Sequence, residues 1–517
     1  MLNLRPIYKR AEEHTGWIIG GMFFLLAFFI LLQTLFSPSI VFAFLFCCGA
    51  LALAVFRPLW MIGVLSLYLP FESLLLKFTP DDAYVMVRYA SEGLIYVMVG
   101  VVLLRVITRS IQVKETPLDL PFVLFVLTLV ASTVINLVSP SIAILGMRQI
   151  LRFVLMFFLV VYLKPSKEYI QRLTYALFAI LVFVCVIGFA QSVVGERLDL
   201  FLLPSESRSF GDMTLTSGVT QFWDPGSRIF ATFGRYDRLG NFLYLFLLLA
   251  TGFFFVKQGP KTQKWIPFLL ILGIFALVLT FSRASWFAFL FGFLFVGIFV
   301  MRDRRVLVSF LAFALIVSSY VALSGLSVRY ITEAPGQTVV ERFYESFSIA
   351  RWRGEYYGLG RVYWGVQTPL VVVPFSPFVG VGPGQFGGGV AAALHNTKIY
   401  DALGLPFGVY GIEGHIDNNW FSLWGETGTI GFALYIWMFV LLFRFAMDTY
   451  HGSKDPYTKA LALGFAACII GISFNGLTSM VFEIRTTAYY FWLYAGFVVV
   501  LGEREEVKKR RSREGEA

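Results

Sequence analysis

The stretch Glu168–Val194, EYIQRLTYALFAILVFVCVIGFAQSVV, carries no charge after Arg172. A bilayer core takes about 20 apolar residues wound as a helix, so this segment is long enough to cross one. Moving outward from it, the same ruler finds about fourteen candidates along the chain. They run near 17–35, 38–56, 58–76, 83–107, 118–138, 141–163, 168–194, 228–257, 264–281, 283–301, 305–325, 418–446, 457–481 and 486–502. Pro70 and Glu72 interrupt the third, and the joins at Ser37-Pro38 and Ser282-Arg283 are tight. The expected fold class is therefore an all-α polytopic membrane protein of about 12–14 transmembrane helices.

Composition agrees. Of 517 residues 58% are apolar, 18% aromatic and only 14% charged, whereas soluble domains carry about 25% charge. Too few polar residues exist to coat a globule of this size, which excludes a cytosolic enzyme, a secreted disulfide scaffold and a disordered chain. Cys47, Cys48, Cys185 and Cys468 lie inside apolar runs and read as small packing residues. The net charge of +10 would suggest nucleic acid in a soluble protein, but here the basic residues occupy short gaps between spans.

Alternate gaps should be rich in Lys and Arg where they face the cytoplasm. One set holds the N-terminus, Arg57, Arg105-Arg109-Lys114, Lys164-Lys167-Arg172, Lys257-Lys261-Lys264, Arg302-Arg304-Arg305, Lys454-Lys459 and the tail Lys508-Lys509-Arg510-Arg511. The other holds Asp81-Asp82, 195–227, the Ser282-Arg283 hairpin and 326–417. This parity puts both termini in the cytoplasm of a cell (inner) membrane protein and the two long hydrophilic segments outside.

The organisation expected is a cytoplasmic N-terminus (1–16), an N-terminal transmembrane bundle (17–194), an outer loop (195–227) and arginine-bearing helices (228–325). A large outer subdomain (326–417), C-terminal helices (418–502) and a basic tail (503–517) complete it. Trp352, Tyr356, Tyr357, Tyr363, Trp364 and Phe375 suit helices of the outer subdomain lying at the membrane interface.

Basic residues on the outer side run against the topological bias. Arg228, Arg235 and Arg238 are seven and then three residues apart, which on one helix makes a stripe. Arg283 opens a span on that side, and Arg351, Arg353 and Arg361 lie in the outer subdomain. Arg148 and Arg152 sit one turn apart inside a span, where a charge must face protein or a wet cavity. Arg88 and Glu92 form an i,i+4 pair. Singly, each arginine suits an acid partner or a lipid headgroup. Gathered on one face, planar and permanently charged forks suit phosphate oxygens.

Acid–base candidates are few. His14 and His451 fall on the cytoplasmic side, and His395 reads as structural. His415 stands two residues before Asp417, at the mouth of a span, where proton transfer is plausible chemistry. Glu426, in the glycine-rich run Gly425–Gly431, reads as a packing and hydrogen-bonding group. No glycine-rich phosphate loop with lysine and no metal-ligand motif occurs, so no cofactor, metal or nucleotide is expected.

Four stretches resemble the O-antigen ligase and polymerase superfamily. Leu279-Thr-Phe-Ser-Arg-Ala-Ser-Trp286 is similar to its Thr-x-Ser-Arg turn, and Ala231-Thr-Phe-Gly-Arg-Tyr-Asp-Arg-Leu-Gly-Asn-Phe-Leu243 to its Gly-Thr-Phe-x-Asn-Pro-Asn segment. Arg361-Val-Tyr-Trp364 with Pro377-Phe-Val-Gly-Val-Gly-Pro-Gly384 resembles its outer-loop element. Asn418-Asn-Trp-Phe-Ser-Leu-Trp-Gly-Glu-Thr-Gly-Thr-Ile-Gly431 resembles its Asn…Glu-x-Gly span.

The resemblance implies a glycosyltransferase C-like architecture. It also implies a glycosyltransferase that moves a glycan from an undecaprenyl diphosphate carrier to an acceptor glycan or glycolipid. Membrane lipids would surround it, and nucleic acid would play no part. Arg228, Arg283 and Arg361 would hold the diphosphate, with Arg235 and Arg238 as further candidates, and His415 or Asp417 would serve as base. Where ligases carry His before the Asn of the loop exit this chain has Asp417, which points toward a polysaccharide polymerase over a lipid A-core ligase. A transporter or flippase for an anionic lipid-linked substrate is the alternative reading.

Overall fold

The computed structural model describes residues 37–514 apart from 114, 205–206, 211–212, 217–227, 258 and 325–337, together with Phe23, Ala27, Ile30 and Thr34. The expected N-terminus 1–16, nearly all of the span 17–35 and part of the loop 195–227, including all of 217–227, lie outside the described residues, as do the side chains of the basic tail.

The helices are α1 Pro38–Phe56, α2 Pro58–Lys77 and α3 Asp81–Ile107, α4 Asp119–Ile135, α5 Pro140–Leu151 and α6 Val154–Leu163, and α7 Lys167–Val194. Then come α8 Tyr236–Phe255, α9 Pro260–Leu279, α10 Arg283–Val300 and α11 Arg304–Ser324. Shorter α12 Val339–Glu345, α13 Ile349–Tyr357 and α14 Arg361–Gln367 belong to the long loop segment. The chain ends with α15 Asn419–Gly452, α16 Pro456–Asn475 and α17 Arg485–Glu514.

Local sequence sets these boundaries. Pro38, Pro58, Pro140, Pro260 and Pro456 open helices at the first turn, where a missing N–H costs nothing. Ser166, Asn418 and Asp455 cap their helices by accepting from Tyr169 N at 3.1 Å, Phe421 N at 3.0 Å and Thr458 N at 2.9 Å.

Among the described residues eight helices are long and apolar enough to cross a membrane, or nine with the α5–α6 pair, bent by 54°, taken as one span. Ile40–Phe56, Asp119–Ile135 and Lys264–Leu279 are shorter apolar helices. The chain is an all-α polytopic integral membrane protein. The count falls below twelve to fourteen because some expected spans are short or bent and the first lies outside the described residues. The only strands among the described residues, Ser207–Phe210 and Met213–Thr216, pair as an antiparallel hairpin.

Two expectations need correction. The span 228–257 begins only at Tyr236, because a 3-10 turn at Ala231–Phe233 and Gly234 at φ 73° precede it. Arg228, Arg235 and Arg238 therefore do not share one helical stripe. Arg88 does not pair with Glu92 either: it donates to the Tyr84 hydroxyl at 3.4 Å, and Glu92 takes Arg148 instead.

α8 and α16 are the most enclosed of the membrane-spanning helices, with 83% and 78% of their apolar windows buried, whereas α11 is only 6% buried. Lipid supplies no hydrophobic drive between helices, so close packing must hold them together. A Cβ on Gly252 would lie 2.0 Å from the Ala460 carbonyl, and one on Gly464 2.4 Å from that of Leu249. The loop segment has a small core of its own, built on Trp364, Val381, Phe386, Tyr400, Phe407 and Ile416.

Gly252→Val should overpack the α8–α16 contact and cost about 1–3 kcal/mol, read as a lower melting temperature in detergent. Gly100→Val, where a Cβ meets nothing within 4 Å, should leave that temperature unchanged.

Candidate active site

The turn between α9 and α10 builds one wall of the loop end. Thr280 Oγ1 donates to Leu277 O at 2.6 Å and accepts from Ser282 N at 3.2 Å, and Trp286 Nε1 returns to Leu277 O at 2.7 Å. Ser285 Oγ and Asn475 Nδ2 both donate to Asn241 Oδ1, at 3.2 and 2.7 Å. Residues of three separate stretches thus meet in one buried polar knot.

A second wall comes from the glycine and proline loop, which enters a break in α15. Gly428 sits at φ 67° inside that helix, and a Cβ there would lie 2.4 Å from Phe378 O. Val381 N and Gly382 N donate to Gly425 O and Glu426 O, while Thr429 N and Ile430 N donate to Pro377 O and Phe378 O. Helical bonds lost at the break are replaced by loop bonds, as a low-dielectric setting requires. The buried Glu426 carboxylate accepts from Gly384 N at 2.9 Å and Phe386 N at 3.4 Å.

Beside this framework lies a cavity of about 520 Å³, which the glycine and proline loop reaches through Gly389. Lys77, Arg88, Arg148, Arg152, Arg235, Arg238 and Arg485 line it, with Glu72, Asp237, Asp417, Glu483 and His415. Cations outnumber carboxylates.

Most of the cations are already engaged. Arg148 makes a two-pronged contact with Glu92 at 2.5 and 2.9 Å. Arg152 reaches Glu92 at 3.4 Å and the Glu483 carbonyl at 3.0 Å. Arg485 holds Glu72 at 2.5 Å, and Arg235 makes two bonds to Asp237, at 3.0 and 3.2 Å. Lys77 donates to the carbonyls of Leu200 and Phe201. Arg238, half-buried in the first turn of α8, has no ion pair among the described residues.

Of the residues expected to gather here, Arg235, Arg238, His415 and Asp417 line the cavity. Arg228, Arg283 and Arg361 are not among its described lining. Arg228 lies over the Tyr236 ring at 4.4 Å. Arg283 contacts the fully buried Glu345 at 3.2 Å, which also contacts Arg342 and Arg351. From there a chain runs inward. Arg351 bonds Glu355 at 2.7 Å, Glu355 accepts from Arg361 N at 3.2 Å, and Arg361 clamps Asp417 at 2.9 and 3.2 Å.

The backbone at His415 and Ile416 is fixed by neighbours. Ile416 N donates to Gly387 O at 3.1 Å and Val409 N to His415 O at 2.8 Å. The two asparagines that follow tie the exit to the α16–α17 loop, Asn418 Nδ2 to Leu477 O at 2.9 Å and Asn419 N to Gly476 O at 2.8 Å. His415 Nδ1 faces Glu413 O at 3.1 Å, and Nε2 faces Glu413 Oε2 at 3.1 Å and Asp417 Oδ1 at 3.4 Å.

Burial opposes charge on the ring, but the Asp417 contact and the Glu413 carboxylate outweigh it and raise the His415 pKa. Burial likewise opposes charge on Asp417, yet Arg361 and His415 hold it well below the usual carboxylate range. His415 thus contributes stability below its ordinary pKa that is lost as pH rises through the raised value. Asp417 contributes above its ordinary pKa and loses that as pH falls through the lowered one.

Arg485, Glu483 and Lys77 were not singled out in the sequence. Arg485 opens a helix at the loop end, the same signal that marks Arg283. Glu483 carried no motif. His395 packs edge-on against Phe407 at 4.6 Å, a structural role.

The fold and cavity define an integral membrane protein with a cationic chamber at one end of its bundle. Residues 268–436 match the family described as O-Antigen ligase. That domain supports the O-antigen ligase/polymerase superfamily, and a function of this general type, for the chain. No curated protein matches. A solved structure described as "Structural coordination of polymerization and crosslinking by a peptidoglycan synthase complex" is similar at 16% identity and a TM-score of 0.38, over 74% of this chain and 97% of that one.

Asp417→Asn should lower the His415 pKa, because it removes the negative charge that helps raise it. Histidine-selective NMR titration reads this directly, and an unmoved midpoint would show that the contact is not what raises it.

Proposed function

We propose that the chain moves a glycan from an undecaprenyl diphosphate carrier to an acceptor hydroxyl on the outer face of the cell membrane. Charge placement supports this sidedness: the basic gaps fall at the bundle end opposite the cavity, in keeping with a cytoplasmic side there. The observation that carries the reading is Arg238. A half-buried guanidinium facing a chamber of surplus positive charge, without an ion pair among the described residues, is matched by a diphosphate.

In this reading Arg238 and Arg235 hold the diphosphate, and the Arg148, Arg152 and Arg485 group adds a supporting field. Arg361 acts through Asp417, and Arg283 through Glu345 and the chain of bonds leading inward. Arg228 stands at the edge over Tyr236. The departing diphosphate gains charge as the glycosidic bond breaks, so fixed cations already in place lower the barrier. Asp417, clamped by Arg361, is a poor proton acceptor. His415, with both ring nitrogens facing oxygens, favours the imidazolium and adds to the cationic wall.

A polysaccharide polymerase fits the Asp417 position better than a lipid A-core ligase. The acceptor is then a second lipid-linked glycan.

The test is incubation of purified protein with a lipid-diphosphate oligosaccharide. Growth of the donor glycan is the expected result. Transfer to another acceptor would indicate a ligase, and relocation without covalent change a flippase. Arg238→Ala should weaken donor binding about 10- to 100-fold, the loss of a charge-assisted contact worth about 1.5–3 kcal/mol. Arg238→Lys should recover only part, since an ammonium cannot make the forked contact. Wild-type affinity in Arg238→Ala would remove this residue from the site.

A further inference from the structure

Four carboxylates line the cavity, and three are clamped by a guanidinium: Glu72 by Arg485, Asp237 by Arg235 and Asp417 by Arg361. A carboxylate so held is a weak proton acceptor. Glu483 differs. Among the described residues its carboxylate meets only neutral donors, the Gln149 side-chain amide and Gly389 N, the latter at 3.0 and 3.2 Å. Its orientation is fixed from behind, where Arg152 donates to its backbone carbonyl at 3.0 Å.

The loop facing it is shaped for that seat. A Cβ on Gly389 would lie 2.7 Å from Glu483 Oε2, and one on Gly388 3.0 Å from Gln149 Nε2. Burial also pushes the Glu483 carboxyl above its ordinary pKa, with Gly389 N–H and the nearby Arg152 and His415 charges opposing.

We propose that Glu483 is the catalytic base that takes the proton from the acceptor hydroxyl. The assignment rests on the transferase reading above. In the step, the acceptor oxygen forms a bond to the anomeric carbon while the bond from that carbon to the diphosphate oxygen breaks. The electron pair of the broken bond leaves on the diphosphate beside Arg235 and Arg238, and the hydroxyl proton passes to a Glu483 carboxylate oxygen. After product leaves, Glu483 returns the proton to water in the cavity.

Glu483→Gln keeps size and can still accept from Gly389 N but cannot take a proton. Turnover at saturating donor and acceptor should fall about 100-fold or more, while donor retention by the detergent-solubilised protein stays within about twofold of wild type. Glu483→Ala should be equally slow, and added formate should restore part of its turnover, a rescue that a purely structural role would not show. Gly389→Ala should also slow turnover by displacing the carboxylate. Wild-type turnover in Glu483→Gln overturns the assignment. Joint loss of donor retention and turnover, with no formate rescue in Glu483→Ala, overturns it too, leaving Glu483 a structural residue. A wild type that retains donor yet transfers nothing sinks the transferase reading itself.

Discussion

A guanidinium withdrawn from water into a helix bundle must find negative charge or polar contacts, and that requirement organises the loop end of this protein. Glu92, 4% exposed, serves both Arg148 and Arg152. Glu345, fully buried, serves Arg283, Arg342 and Arg351. Removing either acid would strand several cations at once, so these carboxylates hold distant helices in register. The arrangement places more cations than acids around the chamber. Local electrostatics are therefore left incomplete where an anionic ligand can enter, and the ion pairs around that gap keep it from collapsing.

A second constraint is that backbone broken inside a bundle must be satisfied from elsewhere. The gap in α15 at Gly428 is filled by Pro377–Gly382, and Glu426 accepts two further loop amides. This fixes Gly384–Gly389 against α15, and that loop in turn positions His415 through the Gly387 contact and Glu483 through Gly389. The site is thus carried on a loop, but a loop whose backbone is bonded into a helix.

What could be read from the sequence divides along a physical line. Spans announce themselves by length and apolarity, which are local properties, and α3, α7 and α15 fall where expected. Arg235 and Arg238 stand out because basic residues on the outer side break the local rule of sidedness, and His415 and Asp417 because a histidine and an acid two residues apart stand at the mouth of a span. The supposed stripe of Arg228, Arg235 and Arg238 failed because the turn at Ala231–Gly234 is invisible to a count of helical spacing. Arg148 and Arg152 were conspicuous but unassignable, since their partners lie 56 and 331 residues away in Glu92 and Glu483. Glu483 is the sharper case. Its setting is made by Gln149 and Gly389, remote in sequence, so no local pattern could mark it.

A chamber that must both attract a diphosphate and hold a base faces an electrostatic conflict, because each cation that helps the first weakens the second. Holding one carboxylate with an amide and a backbone N–H, while its neighbours are tied to arginines, is a way to reconcile them. On the base assignment the conflict also has a useful sense. Before donor binds, the surrounding positive charge lowers the proton affinity of Glu483. An arriving diphosphate offsets that charge and raises it, so the base becomes competent when the leaving group is in place. The same cations that seat the donor then link its arrival to the readiness of the proton acceptor, with no moving part required.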